Sequence, residues 1–302
     1  MKNKDKITEG AAALEIACFH FKEGVEYFER ILGGNINQVY SFTHQDVSYI
    51  LRLNERENAL ARAQTISDLL FQGEALFSKV LFSGNKNGFS YSISEKIPGV
   101  PVSKIEKNEG LTQSIITQTA KFHKTPIDGT TGFGFVDDEG NGSYPDWESF
   151  VDAFFSENGI GSFWQGWHEL FETTCLERDV FTEMFKRLKK YSRFNAPHRR
   201  LVHGDLHGSN ILSSQNEVTG FIDFDNMMYG DFIIDLATID RVVPIEKFEM
   251  AYKKTNFPIP FFKERYLGAK YFKGLDILRF YAKTGNEAGY KSLKAYLLGL
   301  PE

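Results

Sequence analysis

Cysteine is nearly absent: 302 residues hold only Cys18 and Cys175. Two widely separated thiols make neither a disulfide framework nor a zinc site. Long uncharged apolar runs are missing too, and the stretch after MKNKDKITEG carries Glu15. Neither a signal peptide nor a membrane span is expected, and a reducing cytoplasm is the expected compartment. Basic clusters are also lacking: 35 Lys and Arg stand against 40 Asp and Glu, a formal charge of −5. A general nucleic-acid binder needs such clusters to displace counterions, so nucleic acid is not an expected partner. Mild acidity is compatible with a cationic ligand. No internal repeat or low-complexity tract interrupts the chain.

Aromatics, by contrast, are plentiful, with 28 Phe. They predict a Phe-rich core more than stacking platforms for a ligand. The length allows one large domain or two lobes of one catalytic unit. Residues 7 to 20 have helical spacing, with Ile7, Ala11, Leu14 and Cys18 near one face. Apolar, β-branched and aromatic runs between 25 and 54 read as antiparallel strands around turns. A helical stretch at 55 to 72 precedes two more strand-like runs around Gly84 to Gly88. Pro98-Gly99 then breaks the chain, which suggests lobes at 1–97 and 98–302. Beyond it, 111 to 125 is helical, 127 to 147 reads as loop, and 148 to 193 reads as two amphipathic helices. Residues 246 to 299 are helical again.

The chemistry concentrates in HGDLHGSNIL at 203 to 212 and FIDFD at 221 to 225. Asp205 and Asn210 stand five positions apart, and Asp223 ends a short apolar run. One carboxylate can orient a hydroxyl while an amide and a second carboxylate hold Mg²⁺ on nucleotide phosphates. Protein kinases use the same kit as H-R-D-x-x-x-x-N followed by D-F-G. Here Gly204 replaces the Arg and Asp225 replaces the Gly. His203, Asp205 and His207 alternate, which also invites a zinc reading. No partnering histidine motif appears elsewhere, so that reading is set aside. Gly33-Gly34-Asn35 precedes a strand, and its backbone can close over phosphates. It is no Walker-type loop.

HGDLHGSNIL, FIDFD and YGDFIIDLA at 229 to 237 together resemble the aminoglycoside phosphotransferase family of small-molecule kinases. TTGFGFVDDEGNGSYPDWESF at 130 to 150 resembles its hygromycin branch, as GLDILRFYAKTGN at 274 to 286 does more weakly. The resemblance implies an α+β, two-lobe, protein-kinase-like fold. The small lobe is then an antiparallel sheet that binds nucleotide, and the larger lobe is mainly helical. It implies ATP or GTP as phosphoryl donor, Mg²⁺ as metal and a polyhydroxylated, cationic small molecule as acceptor. Asp205 becomes the catalytic acid–base group, with Asn210 and Asp223 as metal ligands and His203 holding the loop. Arg52 takes the place of the strand lysine that grips phosphates. Its acidic partner is unassigned: Glu57 and Asp68 flank the expected position near Ala63 at distances that do not fit well, and Glu57 is the pick.

SISEKIPG at 92 to 99 resembles the hinge that reads adenine through its backbone, at Glu95 and Ile97. Asp235 resembles the buried acid beneath the catalytic loop. Asp225 is expected to meet acceptor amines; Asp231 either meets them too or caps the following helix, with the cap preferred. Trp147, Phe150, Trp164 and Trp167 are expected mostly in the core, with a place in the acceptor pocket as the alternative. Two rival functions remain: a metabolic kinase for choline, a sugar amine or an amino-acid alcohol, and a catalytically silent nucleotide-binding module.

Overall fold

The computed structural model describes residues 9–32, 37–159, 162–254, 257 and 259–302. The chain starts with helix α1 (Glu9–Phe21), then strands β1 (Glu26–Ile31), β2 (Gln38–His44) and β3 (Val47–Asn54). Helix α2 (Arg62–Leu70) precedes the hairpin β4 (Val80–Lys86) and β5 (Phe89–Glu95). These strands form one antiparallel sheet, ordered β1-β2-β3-β5-β4. Period-two alternation in β3 turns Tyr49, Leu51 and Leu53 into a core with Tyr40, Phe42, Tyr91 and Ile93. Arg52 therefore leaves by the other face. Helix α1 caps the core with Ala13, Ile16 and Ala17. That face differs from the expected one: Leu14 and Cys18 are exposed, because small side chains let the helix approach the sheet closely.

After Gly99 comes β6 (Val100–Pro101), which pairs with a strand of the second lobe. Gly99 has φ +116°, and a Cβ there would lie 2.5 Å from the Ser213 carbonyl oxygen, so only glycine fits this crossing. The rest begins with α3 (Glu109–Phe122), β7 (Phe133–Val136), β8 (Gly142–Tyr144), α4 (Trp147–Ser156) and α5 (Leu170–Thr173). It continues with α6 (Arg178–Asn195), β9 (Arg200–Val202), β10 (Ile211–Ser214), β11 (Glu217–Phe221) and β12 (Met228–Gly230). Helices α7 (Ile233–Ile239), α8 (Ile245–Lys253), α9 (Phe262–Lys283) and α10 (Glu287–Leu298) complete it.

The expected loop at 127–147 contains two strands, which join a sheet ordered β8-β7-β12-β9. Glycine and aspartate there form the turns, and Phe133, Phe135 and Val136 supply the strand. Trp147, Phe150 and Trp167 are buried in the large core, and Trp164 packs against it. Ile66, Leu69 and Leu70 of α2 belong to that core too, so α2 packs with the larger lobe's core. No helix among the described residues is long and apolar enough to cross a membrane.

Candidate active site

The catalytic-motif loop hangs from one buried acid. Asp235, fully buried in α7, accepts hydrogen bonds from the backbone N–H of His203 at 2.8 Å and of Gly204 at 2.9 Å. Its Oδ2 lies 3.0 Å from His123 Nε2, and His123 Nδ1 lies 2.8 Å from the Tyr252 hydroxyl. A carboxylate only accepts, so Nε2 carries a proton toward Asp235, and in a neutral ring Nδ1 accepts from Tyr252. Gly204 takes φ +80°, and an added Cβ would lie 2.1 Å from the Asn226 carbonyl oxygen. This explains glycine where the kinase pattern has arginine. His203 Nε2 lies 3.0 Å from the Ile222 carbonyl oxygen, and its Nδ1 takes the Asp205 N–H at 3.4 Å. Nδ1 thus faces the loop's own backbone, and Nε2 ties the loop to the segment just before Asp223.

Asp205 projects from this fixed loop, half-buried, with Oδ2 3.6 Å from His207 Nε2. Burial opposes its ionisation, but the His207 contact and the charge of Lys273 outweigh that and hold its carboxyl at about 2. Lys273, buried in α9, donates to the Gly204 carbonyl at 2.7 Å. No motif marks Lys273; its signal is a lysine inside an otherwise packed helical face.

Asn210 donates through Nδ2 to the Asp205 carbonyl at 3.0 Å, and its Oδ1 accepts no hydrogen bond among the described residues. The β10–β11 hairpin then brings the chain back, and the Ile222 N–H bonds the Asn210 carbonyl at 3.0 Å. Asp223 is thereby set beside Asn210. It adopts a left-handed backbone, φ 66°, that breaks the strand and turns its carboxylate outward. Burial first, then the charge of Asp225, pushes the Asp223 carboxyl up, against the pull of Arg52 and His203. An amide oxygen and a carboxylate on neighbouring segments, with excess negative charge, are donors of the kind a hard divalent cation takes.

Arg52 answers the question of its acidic partner. It hydrogen-bonds Asp225 and lies 3.6 Å from Asp223. Burial pulls its pKa down, but these two carboxylates raise it overall. No bond to Glu57 is found among the described residues. Asn37 also donates to Asp225, at 3.0 Å, and Arg62 of α2 reaches the Asp225 carbonyl at 3.4 Å. Asp225, partly exposed, is therefore held by Arg52 and Asn37 of the small lobe, in the place where an acceptor amine is expected.

Asp231 needs a firmer correction. It is fully buried and held in a fork by Arg265, Nη2 to Oδ1 at 2.7 Å and Nε to Oδ2 at 2.8 Å. Asn195 donates to it at 2.8 Å, and it accepts the Ile233 N–H at 3.1 Å, near the start of α7. Such an acid joins helices and cannot meet an acceptor. Glu95 ends β5 with its carbonyl accepting from the Ser78 hydroxyl, and Ile97 lies against the backbone of Gly220. Gly33, Gly34 and Asn35 lie outside the described residues.

A small antiparallel lobe, a larger helical lobe, and an Asp–Asn–Asp set facing a strand arginine define a kinase-like protein. The chain belongs to the phosphotransferase enzyme family, whose sequence model matches residues 28–252. It is 23% identical over 212 residues to hygromycin-B 4-O-kinase of Escherichia coli, across 68% of this chain and 59% of that enzyme. The chain thus spans less than two thirds of that relative's length. It is 24% identical over 245 residues to the "Probable ketoamine kinase" of Vibrio parahaemolyticus, across 78% of this chain and 80% of that protein. The crystal structure of aminoglycoside phosphotransferase APH(4)-Ia superposes with a TM-score of 0.77 at 19% identity, covering 94% of this chain and 95% of that one. A ternary complex of a thermostable mutant of that protein with AMP-PNP and hygromycin B superposes at 0.75, with 20% identity and coverage of 94% and 96%.

Proposed function

We propose that the chain transfers the γ-phosphoryl group of ATP or GTP to a hydroxyl of a polyhydroxylated, cationic small molecule, an aminoglycoside of hygromycin type. The observation that carries this reading is Asp205 on a loop fixed by Asp235, next to Asn210 and Asp223. Asp205 stays ionised at neutral pH and can align the acceptor hydroxyl and take its proton. The acceptor oxygen then bonds to the γ-phosphorus while the β–γ bridging oxygen leaves with the nucleoside diphosphate. Asn210 and Asp223 would hold Mg²⁺, which supplies charge neutralisation on the phosphates. Arg52 would grip the phosphates, shared with or exchanged from Asp225, under the backbone of Gly33, Gly34 and Asn35. The backbone of Glu95 and Ile97 would read the base. Residues 1–97 then serve the nucleotide and 98–302 the metal and acceptor, in the cytoplasm.

The similarity to a ketoamine kinase favours a second reading, a sugar-amine acceptor on the same machinery. A mass-shift screen separates them: aminoglycosides and glycated amines are incubated with ATP or GTP, and one added phosphoryl mass is sought. If no acceptor gains phosphate and Asp205→Ala leaves magnesium-dependent nucleotide hydrolysis unchanged, the assignment fails.

A further inference from the structure

Helix α9 carries Lys273, Asp276 and Arg279 three residues apart, so they share one face. Lys273 is 7% exposed and Arg279 fully buried. Their charges share one carboxylate: Asp276 lies 3.6 Å from Lys273 Nζ and accepts from Arg279 Nη2 at 3.2 Å. At one end of this row, Lys273 donates to the Gly204 carbonyl, next to Asp205. At the other, the Arg279 guanidinium lies 4.3–4.7 Å from the ring centroids of Phe154, Phe155, Trp164 and Trp167. Its Nη1 donates to the Phe154 carbonyl at 2.9 Å. One turn on, Lys283 donates to the Phe163 carbonyl at 2.5 Å. Phe163 lines an open pocket of about 400 Å³ together with Asn54, Glu55 and Arg56 of the small lobe.

Burying cations is costly, and apolar side chains of similar volume fill a helix face at less cost. Here the buried charges fix two places at once. One is the carbonyl that sets the catalytic loop. The other is the aromatic segment whose Phe163 faces Asn54, Glu55 and Arg56 of the small lobe. A single straight helix keeps those places at one spacing. We infer that Lys273, Asp276 and Arg279 are positioning residues that hold the Phe163–Trp167 segment in register with Asp205, which makes that segment the acceptor-side wall. Lys273 fixes the loop, Arg279 fixes the wall, and Asp276 ties one to the other. The inference rests on the phosphotransfer reading and deepens it.

Steady-state kinetics in both substrates test it, with thermal unfolding to establish folding. Lys273→Met should lower kcat roughly ten- to a hundredfold, with both KM values changed less than about threefold, the pattern of a displaced catalytic group. Lys273→Arg should recover part of the loss. Arg279→Met should raise the acceptor KM on the order of tenfold while leaving the nucleotide KM alone. The double variant should lose less than the product of the single losses, since both act through Asp276. Independent, multiplying losses would overturn the coupling, as would equal shifts of both KM values in Arg279→Met. If Arg279→Met does not fold, Asp276→Asn keeps the shape and removes the shared charge. A folded Asp276→Asn enzyme with wild-type kinetics overturns the inference. A wild-type chain that phosphorylates no acceptor would instead sink the functional reading. Magnesium-dependent ATP hydrolysis then reads the Lys273 arm alone, and hydrolysis unchanged in Lys273→Met overturns it.

Discussion

Charge is treated in opposite ways in the catalytic-loop region, 203 to 225, and in the helical wall built by α6, α7 and α9. In the first, the acids stay partly wet: the Asp205 side chain is 34% exposed and that of Asp223 50%. They share partners, since Arg52 faces both Asp223 and Asp225. In the second, Asp231 and Arg265 are both at 0% and fork to each other. An accessible charge with a shared partner can change partners when a metal or phosphate arrives. A buried charge with a full set of hydrogen bonds cannot, because releasing it exposes an unpaired ion to a poorly solvating interior. The same residue type, aspartate, is thus left accessible at 205 and 223 and locked into the packing at 231 and 235. Burial and partners decide which.

Variants on the two sides should fail differently. The largest effect is expected at Asp205→Asn, which should lower kcat by roughly 10²- to 10⁴-fold, the scale of a positioned acid–base group. Nucleotide affinity should stay near wild type, while the variant gives up the modest stability that the ionised carboxylate contributes above pH 3.8. Near-normal turnover in this variant would remove the loop from the chemistry. Next comes Arg265→Met, which leaves Asp231 buried without its fork. A loss of about 3–5 kcal/mol in urea unfolding is expected from breaking one partner of a buried pair. If that variant were as stable as wild type yet bound acceptor poorly, the contrast between the two regions would fall.

The same contrast explains what was legible in the sequence. Asp205, Asn210 and Asp223 sit within nineteen positions on a loop and a hairpin, so their spacing alone brings them together. The antiparallel small lobe followed from strand alternation and turn residues, as did the Phe-rich core from composition. The cap at Asp231 is legible locally, but its burial is not, because its partner, Arg265, lies 34 positions further on in α9. Lys273 was missed for the same reason: it meets Gly204 across 69 positions. The bond of Asp225 to Arg52 is hidden in the sequence because it spans 173 positions and both lobes. The strands at 133–136 and 142–144 were hidden by glycine and aspartate, which serve their turns. Local spacing is visible in a sequence, and partners chosen by tertiary packing are not.

A smaller effect distinguishes the two proposed metal ligands. Asp223→Asn removes a charge, whereas Asn210→Ala removes a neutral oxygen. Both should raise the magnesium concentration needed for half-maximal turnover, Asp223→Asn more. Roughly tenfold or greater is expected there, the scale of a charge-assisted contact at about 1.5–3 kcal/mol. Excess magnesium should restore Asn210→Ala more fully. Asp223→Asn also relieves the repulsion with Asp225 that pushes its carboxyl up, so the folded apo protein should lose little stability. Magnesium titrations that superimpose for wild type and both variants would contradict the assignment. A large stability loss in Asp223→Asn would move it to the architectural side.

The smallest effect is expected at His207, which sits at the margin of the catalytic region. The contact with Asp205 raises its pKa above 6.5, helped by the charge of Asp223. A raised folded value means that its protonation stabilises the native chain fully below pH 6.5. That contribution is lost as pH rises through the raised value. Asp205 runs the other way: its folded value lies below 3.8, so its share holds above pH 3.8 and disappears as pH falls through about 2. Both charges are therefore present together on the acid side of neutrality and above about pH 4. His207→Gln should be less stable than wild type at pH 5 by at most about 1 kcal/mol, since the pair is partly exposed and screened. At pH 9 the two proteins should unfold alike in urea. Turnover at pH 9 should also stay close to wild type, because Asp205 remains ionised there with or without its neighbour. A stability difference of equal size at both pH values would mean that His207 acts through packing and not through its charge.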